Sequence, residues 1–268
     1  MTAIEIDGTA AKQGASWGAR AAEWAELQEH YSEPLFEAAL AKCGVAKGTN
    51  YLDVGCGAGL AASMAAFRMA TVAGLDASAE MLAVARRRTP GVDFRLGDMQ
   101  KLPWRDASFD LVTFFNSLQY AASDVDALRE AARVTRPGGC IAVAAWAEPE
   151  RCEAAPYIAA LGTFVPAAAS DIGGPWSFSE PMALRTLFES AGLTMWAMRE
   201  VNCAWTYRDA GTALRALMTG GTVARAIDAA GEPRVRDAVF ESIAPFRRCD
   251  GSYRIENVFR LAIGKEEV

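Results

Sequence analysis

The sequence predicts an α/β fold in which a parallel sheet is covered by helices on both faces. Three observations predict it. From Asn50 onward, short apolar runs alternate with stretches of helical periodicity, the order that builds βαβ units. Those runs are apolar throughout rather than at alternate residues, as strands buried on both faces are. The first run leads straight into Gly55-Cys56-Gly57-Ala58-Gly59 and then a helix, so the chain turns tightly at the carboxyl end of a strand. With 268 residues, 51% of them apolar, the chain is long enough to bury one large core with small additions.

The elements follow in order. Residues 1–15 are polar and rich in glycine and alanine, which predicts a loose arm. Trp17, Ala21, Trp24, Leu27 and Tyr31 recur at helical spacing and predict a helix from Ser16. Pro34 interrupts it, and a second helix runs from about Leu35 to Cys43. A strand over 51–54, the glycine loop and a helix over 60–69 come next. A strand over 71–75 ends on Asp76, and Ser78 caps a helix that stops at Thr89-Pro90-Gly91. Strands are predicted over 92–96 and 109–114. Ser123 opens a helix that runs to about Thr135, and Arg136-Pro137-Gly138-Gly139 turns into a strand over 140–146. Beyond Trp146 come helices around 154–164 and 179–191 and a strand over 193–204. A helical stretch over 208–247, broken at Gly220-Gly221 and Gly231-Glu232-Pro233, leads to a last strand over 253–263. The segments 152–178 and 208–247 are additions to the alternating pattern. They are expected to form a lid over the carboxyl ends of the strands, where such sheets bind ligands. The chain thus divides into an N-terminal helical arm or cap, residues 1–48, and a main domain, residues 49–268.

Charge and cysteine usage narrow the functions. The net charge is −6, and the densest basic run, Arg86-Arg87-Arg88, sits at a helix end, where cations suit the helix dipole. Nucleic acid is therefore excluded as a partner. Six cysteines without a C-x-x-C pair and one histidine argue against a metal site and suit a reducing cytoplasm. No basic segment followed by an apolar run marks a secretory leader, and no apolar run is long enough to span a bilayer. The expected setting is cytoplasmic, as a monomer or a homodimer.

The chemistry gathers on the strand ends. Glycines after a strand let a ligand approach the backbone, and the helix that follows offers free N–H groups. Leu60 stands where a dinucleotide fingerprint needs a third glycine or alanine, and no Lys-Ser/Thr follows as in a nucleotide-triphosphate loop. Asp76 can accept hydrogen bonds from both ribose hydroxyls of an adenosine-type ligand. Asp98 can accept one from an adenine amino group, and Met99 can pack on the ring. The segment Phe115-Asn116-Ser117-Leu118-Gln119-Tyr120, after the fourth strand, faces the same crevice.

These segments also carry a resemblance. Tyr51-Leu52-Asp53-Val54-Gly55-Cys56-Gly57-Ala58-Gly59, Gly74-Leu75-Asp76-Ala77-Ser78, Gly97-Asp98-Met99, Phe109-Asp110-Leu111-Val112 and Arg136-Pro137-Gly138-Gly139 resemble the successive motifs of class I S-adenosylmethionine-dependent methyltransferases. The stretch from about residue 16 to 147 is similar to the small-molecule branch related to the ubiquinone and menaquinone methyltransferases. The resemblance implies a Rossmann-like, mostly parallel seven-stranded sheet flanked by helices, with helical lid insertions. It implies S-adenosylmethionine as cofactor and S-adenosylhomocysteine as product. Gly55, Cys56 and Gly57 would line the methionine part, with Asp53 orienting the loop. Asp76 would hold the ribose, with Ala77 and Met81 near the adenine. Asp98 and Met99 would take the adenine, and Asn116 the sulfonium side. An N-terminal helix bearing Trp17, Arg20 and Trp24 would close over the cofactor, with Arg20 pairing to its carboxylate.

The function so implied is methyl transfer to an oxygen, nitrogen or carbon of a small organic metabolite by in-line displacement. The one histidine, His30, and its neighbour Tyr31 are candidates for the acceptor pocket and for general-base work. Tyr120, Trp146, Trp176 and Tyr253 are candidate pocket walls, suited to a flat apolar acceptor. Two rivals remain at this point: an NAD(P)-dependent oxidoreductase, and a protein that binds S-adenosylmethionine without catalysis.

Overall fold

The computed structural model describes residues 8–165 and 173–266. The expectations for residues 1–7, and for 166–172 within the first insertion, lie outside the described residues. Three helices come first: α1 (Gly8–Gly18), α2 (Ala21–Leu27) and α3 (Glu33–Lys42). Strands and helices then alternate as β1 (Asn50–Val54), α4 (Leu60–Phe67), β2 (Thr71–Asp76), α5 (Ala79–Arg88), β3 (Asp93–Leu96), β4 (Phe109–Phe115), α6 (Asp124–Val134) and β5 (Thr135–Trp146). The remainder is α7 (Ala155–Gly162), α8 (Pro181–Ser190), β6 (Leu193–Asn202), β7 (Trp205–Tyr207), α9 (Ala210–Leu217), α10 (Gly221–Ala230), α11 (Glu232–Ile243), β8 (Tyr253–Ile255) and β9 (Val258–Glu266).

The main sheet has seven strands in the order β3-β2-β1-β4-β5-β9-β6. Strands β1 to β5 pair in parallel, and β9 runs antiparallel between β5 and β6. The central strands are the apolar runs read from the sequence: Leu52, Val54, Leu111, Val112, Phe114 and Val143 are all at most 1% exposed. Helix boundaries follow local chemistry. The Ser78 hydroxyl accepts from Met81 N at 3.2 Å at the start of α5, and the Ser123 hydroxyl accepts from Asp126 N at 3.2 Å at the start of α6.

Three expectations are corrected. Residues 8–15 are not a loose arm; they form most of α1, which docks on the body of the fold. The contact depends on glycine: a Cβ on Gly14 would lie 2.1 Å from the Ala77 carbonyl oxygen, and one on Gly18 would lie 2.6 Å from Ser78 Oγ. The fifth strand starts at Thr135 rather than Cys140, because a register irregularity between Phe109 and Leu111 absorbs the Arg136–Gly139 turn. The last strand is two strands. β8 pairs with β7 in a separate two-stranded sheet, and β9 begins after Asn257. Asn257 is the cause: its side chain accepts from Ala154 N at 3.1 Å, and its carbonyl accepts from Cys203 N at 2.8 Å, so it leaves the ladder.

The two insertions contribute α7 and α9 to α11. Their apolar faces, including Tyr157, Leu214, Val235, Val239 and Ile243, join the same buried cluster as Tyr51 and Leu111 of the sheet. Helix α10 also reaches α1, where Gly221 lies against the Trp17 indole, 2.8 Å from a would-be Cβ. Among the described residues, no helix is long and apolar enough to cross a membrane.

Replacing Gly14 with Ala should lift α1 from Ala77, because a backbone oxygen cannot step aside. The expected cost is about 1–3 kcal/mol, read as a lower melting temperature together with faster amide exchange over residues 8–18. Gly162→Ala is the control. It lies in α7 with nothing within 4 Å of its would-be Cβ and should be neutral or stabilising by up to about 1 kcal/mol.

Candidate active site

The carboxyl ends of β1, β2 and β4 open into one cavity of about 1100 Å³, its mouth included, roofed by α1 and α2. The glycine loop forms its floor. Gly55, Gly57 and Gly59 have φ of 74°, 53° and 81°, values that side chains resist. Gly55 N and Cys56 N donate to the Leu75 carbonyl at 2.8 and 3.0 Å, which ties the loop to β2. A Cβ on Gly55 would lie 2.4 Å from that of Ser117, and Ser117 Oγ in turn donates to the Val54 carbonyl at 2.7 Å. A Cβ on Gly57 would meet only Glu29 Oε1 at 3.9 Å, so this residue presents bare backbone to the cavity. Asn116, with φ of 52°, is bent into the left-handed region at the end of β4.

Three carboxylates surround the loop. Asp76 Oδ2 accepts from Gly57 N and Oδ1 from Ser78 N, both at 2.8 Å. Asp53 accepts from Thr113 Oγ1 at 2.9 Å, and that hydroxyl is also within 2.7 Å of Tyr51 Oη. Glu29, just beyond α2, accepts from Leu60 N at 3.3 Å at the start of α4 and pairs with Arg88 at 2.5 Å. Burial is the main reason all three carboxyls titrate above their usual range. Asp53 is pushed up to about 7, with the Glu29 and Asp76 charges adding to the burial and Thr113 opposing it. One guanidinium, Arg88, faces this group.

Aromatic side chains line the rest. Trp17 stands edge-on to Trp24, with centroids 5.1 Å apart, and to Tyr120 at 5.9 Å. Trp146 packs on Phe259 at 4.3 Å and edge-on to Trp205 at 5.7 Å. Trp17, Trp24, Tyr120 and Trp146 also wall a second cavity of about 570 Å³. Its far side is built by the insertions, through Tyr157, Ile158 and Leu161 of α7, Leu217 of α9 and Thr222 of α10.

Comparison with known proteins agrees with this geometry. Residues 52–143 match the family model described as a methyltransferase domain. Over that stretch the chain is similar to methyltransferase domains. It is 41% identical over 106 residues to demethylmenaquinone methyltransferase of Renibacterium salmoninarum, covering 40% of this chain and 45% of that protein. It is 43% identical over 114 residues to fatty-acid O-methyltransferase of Mycolicibacterium smegmatis, covering 41% of each. The chain thus spans less than half the length of these two relatives. The fold extends further. A chain of the complex between the Haloferax volcanii Trm112 methyltransferase activator and a methyltransferase superposes with a TM-score of 0.62 at 23% identity, covering 94% of this chain and 98% of that one.

Within this domain the cavity brings together Asp53, Gly55, Cys56, Gly57, Asp76, Ala77, Met81, Met99 and Asn116, with Tyr120 and Trp146 on its walls. Six expected residues stand elsewhere. Arg20 pairs with Glu232 at 2.9 Å on the outside of the cap. Asp98 Oδ1 accepts from Gln100 N at 2.8 Å in a local turn. His30 is exposed, with its ring 4.0 Å from that of Tyr31, and the Tyr31 hydroxyl donates to the Thr206 carbonyl. Trp176 packs behind Trp146 at 5.7 Å. Tyr253 is buried in β8 opposite Tyr207.

The cavity also gains residues that sequence reasoning passed over: Gln13, Gly14, Gln28, Glu29, Trp205 and Phe259. Glu29 shows why. The helical spacing from Trp17 to Tyr31 implies one continuous helix. The helix instead breaks after Gly18, resumes at Ala21 and stops at Leu27, and residues 29–32 form a 3₁₀ turn in which Glu29 is buried while His30 is exposed. No local pattern announces that turn.

Asp53 has a consequence for stability. Its folded carboxyl holds a proton up to about pH 7, whereas an unfolded one ionises near pH 4. Between those values the folded state binds more protons, so stability is full at low pH and falls as pH rises. The denaturation midpoint of the ligand-free protein should therefore drop between about pH 5 and 7, each unit costing about 1.4 kcal/mol per such group. Asp53→Asn should flatten that slope by one group's share, measured by urea titrations across the range.

Proposed function

We propose that the chain transfers a methyl group from S-adenosylmethionine to a small apolar organic acceptor. The observation that carries this reading is the bare face of Gly57 beside Asp53, Asp76 and Glu29. A cofactor with a sulfonium and an ammonium group fits a cavity lined by three carboxyl groups, one of them paired to Arg88. The nicotinamide alternative fits less well, since a dinucleotide's pyrophosphate would meet the same carboxylates. In this reading Gly55, Cys56 and Gly57 take the methionine part, Asp76 the ribose, Ala77, Met81 and Met99 the adenine, and Asn116 the sulfonium side. Residues 1–48 act as a cap, and the insertions shape the acceptor compartment. Apolar acceptors also suit the relatives whose names specify demethylmenaquinone and a fatty acid.

S-adenosylmethionine supplies an electrophilic methyl group, so the chain's task is to hold the acceptor in line with it. Such positioning is worth roughly 7–11 kcal/mol. Tyr120 and Trp146 wall both compartments and set the acceptor's plane. Burial keeps the Tyr120 hydroxyl protonated, so it donates rather than acts as a base. With His30 exposed, the acceptor best suited to the site brings its own lone pair, as a phenolate, carboxylate or amine. Free thiols suit a cytoplasmic setting.

Calorimetry should show S-adenosylmethionine and S-adenosylhomocysteine binding and NAD not binding; the reverse pattern would overturn the reading. Asp76→Ala should weaken both ligands by about a hundredfold (~2.7 kcal/mol), whereas His30→Ala should leave turnover of an identified acceptor unchanged. Affinity for S-adenosylmethionine should rise from pH 6 to 8 as the carboxylates ionise, and rise less for S-adenosylhomocysteine, which lacks the sulfonium charge.

A further inference from the structure

Among the described residues, four buried side-chain polar atoms have no hydrogen-bond partner: Gln13 Nε2, Thr89 Oγ1, Gln119 Oε1 and Arg225 Nε. Only Gln13 belongs to a side chain that lines the main cavity. Leaving a buried donor unpaired is costly, so such an atom calls for a partner. The orientation of the Gln13 amide is set from outside the cavity. Its Oε1 accepts from Arg225 Nη1 of α10 at 3.3 Å, and exchanging the two amide atoms would place NH₂ against a guanidinium. The NH₂ group is thereby turned away from Arg225.

The position of Gln13 identifies the part of a ligand it meets. It sits 6% exposed on α1, one residue before the glycine that lies against the Ala77 carbonyl. Trp17, one turn further along α1, lines the same cavity, as do Ala77 and Met99 just beyond β2 and β3 and Met81 in the first turn of α5. This is the end assigned above to adenosine. A neutral amide donor suits a neutral acceptor, and the adenosine half offers only neutral ones, on the purine ring and the ribose. Asp76 is an acceptor and cannot supply this bond.

We propose that Gln13 is a cofactor-recognition residue, carried into the cavity by α1, whose Nε2 donates a hydrogen bond to the adenosine half of S-adenosylmethionine. The assignment rests on the cofactor reading above. It also ties cofactor to acceptor. Arg225, which orients Gln13, donates through Nη2 to Thr222 Oγ1 at 3.3 Å, and Thr222 walls the second cavity.

The test is calorimetric binding of S-adenosylhomocysteine to the full chain and to Gln13→Leu and Gln13→Glu, with adenosine as competitor and melting temperatures of the ligand-free proteins. Gln13→Leu should weaken S-adenosylhomocysteine about tenfold (~1.4 kcal/mol) and adenosine by the same factor. The ligand-free melting temperature of this variant also registers the lost acceptor of Arg225 Nη1, so the stability control is Gln13→Glu, whose melting temperature should stay level or rise. Gln13→Glu keeps the size and the tie to Arg225 while losing the donor; it should weaken binding at least as much, and it decides the matter if the leucine variant does not fold. Affinities within twofold of the wild type in the folded variants would overturn the assignment and leave the cofactor reading standing. So would a weakening in Gln13→Glu accompanied by a clear fall in its ligand-free melting temperature, the mark of a structural role. Failure of the wild type to bind S-adenosylhomocysteine would overturn both.

Discussion

The Asp76 carboxylate is the joint on which the site depends. One oxygen holds the N–H of Gly57 in the loop after β1, and the other holds the N–H of Ser78 at the start of α5. Two strand ends and a helix start are thereby locked by one side chain. Ser78, so placed, caps α5 through its own hydroxyl. The Ala77 carbonyl between them becomes the surface on which Gly14 of α1 rests. Once α1 is seated, Gln13 and Trp17 enter the cavity, and Trp17 meets Gly221 of α10. The cap and the second insertion are therefore registered on the glycine loop through a short series of contacts, of which those at Gly14 and Gly221 leave no room for a Cβ.

This arrangement gathers carboxyl groups where water is scarce and ionisation is opposed. Asp53 and Glu29 are buried at 2% and 5% exposure, and together they have one arginine, Arg88, in reach. A core built for stability alone would not keep them. Thr113, Tyr51 and the N–H of Leu60 offset part of the cost by hydrogen bonding. The rest is a standing cost that a positively charged ligand would relieve, the usual relation between a binding site and the stability of its fold. The aromatic walls act differently. Trp17, Trp24, Tyr120 and Trp146 are shared by both cavities, so the two compartments meet across the same rings.

The sequence by itself determined the central sheet and much of the lining of the main cavity. A strand of this sheet is a short apolar run, and its carboxyl end carries the residues that face the crevice. Asp53, Gly55, Gly57, Asp76, Met99 and Asn116 could be read because each sits within a few residues of a strand end, where chain direction alone fixes its place. Tertiary structure decided the remainder. The seating of α1 rests on a glycine opposite a carbonyl more than sixty positions away. The turn that buries Glu29 and exposes His30 forms because its partner is Arg88, at the far end of α5. The split between β8 and β9 depends on Ala154 and Cys203 bonding to Asn257. Arg20 and Tyr253 were drawn to Glu232 and to β7 instead of the cavity. Local patterns record which residues are apolar and where the chain can turn; they carry no record of the distant atom against which a side chain comes to rest.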